Sequence, residues 1–242
     1  MQIVLLNVAV SFIVHLAMLF GHPDLGLWLV LPPSWMSALL QPWTVVTYIF
    51  VHYDVWHLLG NMLCLYCFGI VALDVMTKRR LVATFIAGGV VGALTYLLAA
   101  AAVSSQGLMG SSAAVMAVAA ATVLTKPDYR VNLWLFGMVK IKWIALFFVA
   151  FALLTTSPGN AAICAHAAHL GGIAAGALSA LQLRRGGRRR KAVVLPRLHT
   201  EPVGSFSERR LDQLLDKVKT SGYGSLSEAE KRELNDLSSK IK

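Results

Sequence analysis

No lysine or arginine precedes Lys78, and no glutamate precedes Glu201. Charged residues make up only 14% of the 242-residue chain, hydrophobic residues make up 57%, and the mean hydropathy is +0.64. Soluble domains carry about 25% charged residues, so this composition excludes an ordinary soluble globule and marks a membrane protein. The few charges are also segregated. Up to residue 77 the only acids are Asp24, Asp54 and Asp74. From Arg184 the chain turns polybasic through Lys191 and then polar and charged. The expected division is a membrane domain over 1–183 and a soluble tail over 184–242.

Cysteine is scarce too. Cys64, Cys67 and Cys164 all fall inside apolar runs, so no disulfide framework is implied. Cys64 and Cys67 form a CxxC, but no second pair accompanies it. Two small packing residues explain it better than redox or metal chemistry.

What is present in abundance is long apolar sequence. A membrane helix needs about 20 mostly apolar residues. Six segments qualify, some shortened by glycine: 2–20, 56–76, 81–102, 110–125, 143–157 and 162–183. The first lacks a positively charged start and a small-residue cleavage site, so it reads as a retained helix. The expected fold class is all-α, a polytopic bundle of six transmembrane helices followed by a small helical or partly disordered tail. Basic residues fall only in alternate loops: Lys78, Arg79 and Arg80 after the second span, Lys126, Arg130, Lys140 and Lys142 after the fourth, and the polybasic run after the sixth. By the positive-inside rule both termini face the cytoplasm. The loop over 21–55 holds Trp28, Trp35 and Trp43 with Pro32, Pro33 and Pro42, a texture suited to the membrane interface.

Polar side chains inside a bilayer are costly, and each is a candidate for function. His57 and Asn61 open the second span, four residues apart and therefore on one helix face. Interhelical hydrogen bonding would explain them equally well. Gly110-Ser111-Ser112 opens the fourth span, where a serine lies beside unpaired backbone N–H groups and could also act as a plain N-cap. His166 and His169 open the sixth span, followed by Gly172 and Gly176, which allow close helix approach. Spans two, four and six run in the same direction, so the three clusters share one layer near the outer face. A serine, a histidine base, side-chain donors and a helix N-terminus are the inventory of acyl transfer.

The order HxxxN, then GxS, then histidine before small residues resembles the rhomboid family of intramembrane serine proteases, over about residues 40–180. That resemblance implies Ser112 as nucleophile and His169 as general base, a dyad without an acid. It also implies that His57 and Asn61 complete the oxyanion hole with backbone N–H groups near Ser112. Family members usually carry glycine where this chain has Ala113, an aromatic where it has Met116, and arginine where Thr44 follows Trp43. The activity implied is endopeptidase cleavage of single-span transmembrane substrates near the outer face. The expected location is the bacterial inner membrane, and no cofactor or metal is implied.

Rival chemistries lack their residues. A zinc protease of the HExxH type needs glutamate, absent from the membrane domain. An aspartyl dyad needs two facing acids, and Asp74 stands nearly alone. A metal held by His166 and His169 with His52 or His57 lacks nearby carboxylates and thiolates. The alternative from another class is a rhomboid-like pseudoprotease that binds or escorts membrane proteins without cleaving them. Such proteins lose the nucleophile or the base, and both are present here. The net charge of +10 sits largely in the arginine run and loops. Anionic lipid at 184–191 accounts for it without nucleic acid. In the tail, helices are expected over 207–219 and 227–240, the second opened by a Ser227–Glu230 capping box.

Overall fold

The computed structural model describes residues 2–22, 24–103, 105–133, 137–155, 159–192 and 203–239. The chain divides into two compact units, Met1–Arg189 and Arg190–Lys242.

The first unit is a helical bundle. Its elements are α1 (Gln2–Leu19), α2 (Asp24–Leu29), α3 (Trp35–Leu40), α4 (Thr44–Thr47), α5 (Val55–Leu73), α6 (Lys78–Ala100), α7 (Ser112–Thr125), a hairpin of β1 (Arg130–Leu133) and β2 (Gly137–Lys140), α8 (Ile141–Thr155) and α9 (Asn160–Ala192). Four helices are long and apolar enough to cross a membrane: α1, α5, α6 and α9 through Arg185. The other two expected spans are shorter apolar helices, Ser112–Thr125 and Ile141–Leu154. Large apolar side chains such as Phe12, Leu63, Leu98, Phe147 and Leu154 are exposed on the flanks of these helices. In water that would be a heavy penalty; against lipid chains it is the expected surface. The chain is an all-α polytopic membrane protein.

The short α7 sits at the centre. Ala113 through Ala119, Ala121 and Thr122 are all buried, so its neighbours, not lipid, surround it. At 1.5 Å per residue its 14 residues cover about 21 Å, less than the ~30 Å of a bilayer core. A helix shielded by protein need not match that thickness, and its first residue can therefore be recessed within the bundle.

Small residues permit this enclosure. On α6, a methyl group added at Gly88 would strike Ala117, and one at Gly92 would strike Ala113. On α9, Gly172 lies against the backbone of Ala113 and Gly176 against that of Ala117. α7 is thus held on two sides by glycine faces, at a backbone separation that no other residue allows.

The 21–55 connection is more structured than a loop. Its three short helices end in a 3-10 turn at Tyr48–Phe50. The Trp28 and Trp43 rings stack at 5.8 Å, and Trp43 Nε1 donates to the Trp28 carbonyl at 2.8 Å. Met36, Leu39 and Leu40 of α3 are exposed, as on a segment lying in the membrane interface. Asp54 caps α5 by accepting from the His57 N–H at 2.6 Å. The expected loop over 126–142 instead contains the β1–β2 hairpin. Its base is tied to the bundle by Tyr129 Oη donating to Asp74 at 2.7 Å. Beside it, Asp128 accepts from Lys140 at 2.9 Å and Lys142 at 3.3 Å.

The second unit is a helix pair, α10 (Val203–Ser221) and α11 (Glu228–Ser239). Arg210 meets Glu233 at 3.2 Å and Lys217 meets Glu230 at 2.8 Å, so the later residue of α10 pairs with the earlier residue of α11, the order of an antiparallel helix pair. Leu214 and Leu226 are buried between them. The capping box is formed: the Ser227 N–H donates to Glu230 at 2.8 Å, and the Glu230 N–H donates to Ser227 Oγ at 3.3 Å.

Candidate active site

The entry to α7 is shaped by Gly110, whose φ of +103° lies where side-chain-bearing residues are strained. Its N–H donates to the Tyr48 carbonyl at 3.0 Å. An added Cβ would also meet the His57 ring at 2.7 Å. Glycine is therefore required twice over, by the backbone and by the close approach of His57.

Ser111 follows as the residue before the helix, yet its side chain makes no capping bond. Its N–H and Oγ instead approach His52 Nε2 at 3.2 and 3.3 Å. Ser112 is the first residue of α7, so it is not the N-cap. Its Oγ lies 2.8 Å from His169 Nε2 on α9. Ser112 is half-buried, while His169 retains 9% of its surface. The N–H groups of Ser112, Ala113 and Ala114 belong to the first helical turn and have no carbonyl four residues back within the helix.

In the neutral tautomer that lets His169 accept from the hydroxyl, Nε2 carries the lone pair and the ring proton resides on Nδ1. His169 Nδ1 is buried and has no hydrogen-bond partner. The pair therefore stands without an acidic third member. His166 has its ring centroid 6.1 Å from that of His169, and its Nδ1 is likewise buried without a partner. It is not the histidine that meets Ser112.

Asn61 is 2% exposed; its Nδ2 donates to the His57 carbonyl at 2.9 Å, and its Oδ1 has no partner. One of its two amide hydrogens is thus committed to its own helix. His57 packs edge-on to His52, with ring centroids 5.3 Å apart. The four residues expected at the site thus gather at one end of the bundle: His57 against Gly110, Asn61 one turn below it, and Ser112 bonded to His169. Among the described residues no group of three or more His, Cys, Asp or Glu side chains is placed to hold a metal ion.

From the sequence His52 is a candidate only for a metal site, and the polar residues of the helix that holds it are not singled out. Asn7, Ser11 and His15 lie four residues apart on one face of α1, and Asn7 and Ser11 are wholly buried. Ser11 Oγ donates to the Phe50 carbonyl at 3.1 Å and lies 3.2 Å from His52 Nδ1. His15 Nε2 reaches the Tyr53 carbonyl at 3.1 Å. Three polar residues at helical spacing in an otherwise apolar span were the available signal.

A bundle of apolar helices with a serine and a histidine joined across two of them defines a polytopic membrane protein with a preformed Ser–His pair. The chain belongs to the rhomboid family, whose domain matches residues 39–186. It is similar to RHOMBOID-like protein 12, mitochondrial, of Arabidopsis thaliana, with 28% identity over 158 residues. That alignment covers 59% of this chain and 47% of the relative, so the chain spans about half the relative's length. Residues 206–240, which include most of the α10–α11 pair, match a family of unknown function, DUF6576.

Proposed function

We propose that this protein is an intramembrane serine endopeptidase in which Ser112 is the nucleophile and His169 the general base. The observation that carries the reading is the 2.8 Å contact between Ser112 Oγ and His169 Nε2, within the range needed for proton transfer. His169 Nε2 takes the hydroxyl proton as Ser112 Oγ attacks the scissile carbonyl carbon. The developing oxyanion is received by first-turn N–H groups of α7, with the free amide hydrogen of Asn61 and the His57 ring as side-chain donors. His169 then passes the proton to the departing amine, leaving an acyl group on Ser112. A water molecule, deprotonated by the same nitrogen, releases it.

The substrate class is a single-span transmembrane protein whose helix opens near the recessed end of α7. Helical backbone is resistant because its carbonyls are hydrogen-bonded, and a bond becomes accessible where the helix unwinds. Both termini face the cytoplasm on this reading, as expected for the inner membrane of a bacterium. The basic segment over 184–191 then meets the anionic leaflet. Activity-based labelling with a fluorophosphonate tests the assignment: the native protein should react and Ser112→Ala should not. A pseudoprotease that only binds membrane helices would leave both unlabelled.

A further inference from the structure

We propose that His52 is a positioning residue for this site, transmitting the hold of α1 to the backbone beside Ser112. The inference rests on the hydrolytic reading above but goes beyond it, to residues that the Ser–His pair does not touch.

The hydrogen-bond directions are fixed by elementary chemistry. The Ser111 backbone N–H can only donate, so His52 Nε2, 3.2 Å away, must be the acceptor. A neutral ring with a lone pair on Nε2 carries its proton on Nδ1. That proton points to Ser11 Oγ at 3.2 Å, and the Ser11 hydroxyl in turn donates to the Phe50 carbonyl at 3.1 Å. The backbone and ring groups of this network run in one direction, Ser111 N–H to His52, His52 to Ser11, Ser11 to Phe50, and the Ser111 hydroxyl lies 3.3 Å from the same His52 Nε2. His52, Ser11 and Ser111 are all wholly buried. A buried network that is fully paired fixes geometry, whereas a broken one leaves costly orphans.

The position of this network gives it a role. Ser111 immediately precedes Ser112, and its N–H would otherwise be unpaired at the entrance of α7. With Gly110 bonded to Tyr48 and Ser111 bonded to His52, two successive amides are tethered just before the nucleophile. The tether ends on α1, which lies outside the residues matched by the rhomboid domain. α1 holds the Phe50–Tyr53 segment through Ser11, which donates to the Phe50 carbonyl, and places His15 Nε2 3.1 Å from the Tyr53 carbonyl. α1 therefore sets the placement of Ser112 without contributing an atom to the reaction.

Three variants test this in the 242-residue chain in detergent. His52→Phe keeps the ring volume and loses both hydrogen bonds. His52→Gln can restore an acceptor toward Ser111 and a donor toward Ser11. Ser11→Ala removes the far end of the network. Displacement of a nucleophile by about 1 Å costs roughly 10²-fold in rate. His52→Phe should therefore lower kcat on that order with KM little changed. Ser11→Ala should lose less, and His52→Gln should recover most of the rate. Amide hydrogen exchange at residues 111–114 should accelerate in His52→Phe and return toward native protection in His52→Gln. That second readout does not depend on proteolysis, so it tests the tether even if Ser112→Ala retains cleavage and the hydrolytic reading fails. Unchanged exchange at the start of α7 in His52→Phe overturns the proposal. So does a loss of kcat that His52→Gln shares in full. If His52→Phe fails to fold, Ser11→Ala carries the same comparison, and native exchange and kcat in that variant overturn it.

Discussion

Gly172 of α9 lies against the backbone of Ala113, the residue that directly follows Ser112. One turn further on, Gly176 repeats the contact at Ala117. These two approaches bring His169, three residues before Gly172, within hydrogen-bond reach of α7. The Ser112–His169 distance is thus a property of helix packing as much as of the two side chains.

That relationship predicts the effect of restoring side chains to α9. In Gly172→Val the added carbons must push α9 away from the Ala113 backbone. Separation by about 1 Å should cost on the order of 10²-fold in kcat. Cleavage of a single-span test substrate in detergent measures the rate. A native rate in Gly172→Val would show that α9 is free to shift without disturbing the pair.

The two histidines of α9 should separate cleanly. His169→Ala should remove both cleavage and fluorophosphonate labelling, because its Nε2 is the group bonded to Ser112 Oγ. His166→Ala should lose less than about tenfold, since its ring contacts His169 but not the serine, and weakened positioning is a smaller effect than loss of the base. The reverse pattern would mean that α9 is rotated in the working protein.

Asn61 distinguishes oxyanion stabilisation from simple helix packing. Removing one such donor typically costs 10²–10³ in turnover, roughly the expected loss for Asn61→Ala. Its bond to the His57 carbonyl lies within its own helix, so the thermal midpoint in detergent should change little. A large fall in the midpoint with kcat preserved would assign Asn61 to the fold instead.

The tail gives a pH prediction. Hydrogen bonds from Lys217 and from the Ser227 backbone lower the Glu230 pKa from 4.5 to about 2. The carboxylate form is the one favoured in the folded pair. Its contribution is therefore present above the ordinary glutamate pKa and is lost as pH falls from about 4.5 toward 2. Protection of the α11 amides, measured relative to unfolded-chain exchange at the same pH, should fall over that window in the native chain. In Glu230→Gln the acid-dependent change should be much reduced.

The sequence disclosed most of the helical architecture because apolar length and helical spacing are local signals. The same held for the tail capping box, where Ser227 and Glu230 are three residues apart. What it concealed depended on tertiary enclosure. The brevity of α7 is permitted only because α6 and α9 shield it, which span-length reasoning cannot register. The β1–β2 hairpin occupies a connection whose charges had drawn attention to orientation alone. Among the residues of the candidate site, Ser112, His169, His57 and Asn61 are legible as polar interruptions at the starts of alternate spans. His52 is not, since it lies in a connection and acquires its partners from α1 and the α7 entrance, residues 41 positions before it and 59 after.

The most direct test of the account is site-resolved fluorophosphonate labelling of the native protein beside Ser111→Ala and Ser112→Ala, with cleavage of a transmembrane substrate followed in the same samples. Ser111→Ala keeps the backbone N–H that meets His52 and should retain labelling and much of the cleavage. Ser112→Ala should lose both, and the label in the native protein should map to Ser112. Cleavage that survives in Ser112→Ala, or a label found on another serine, would contradict the account.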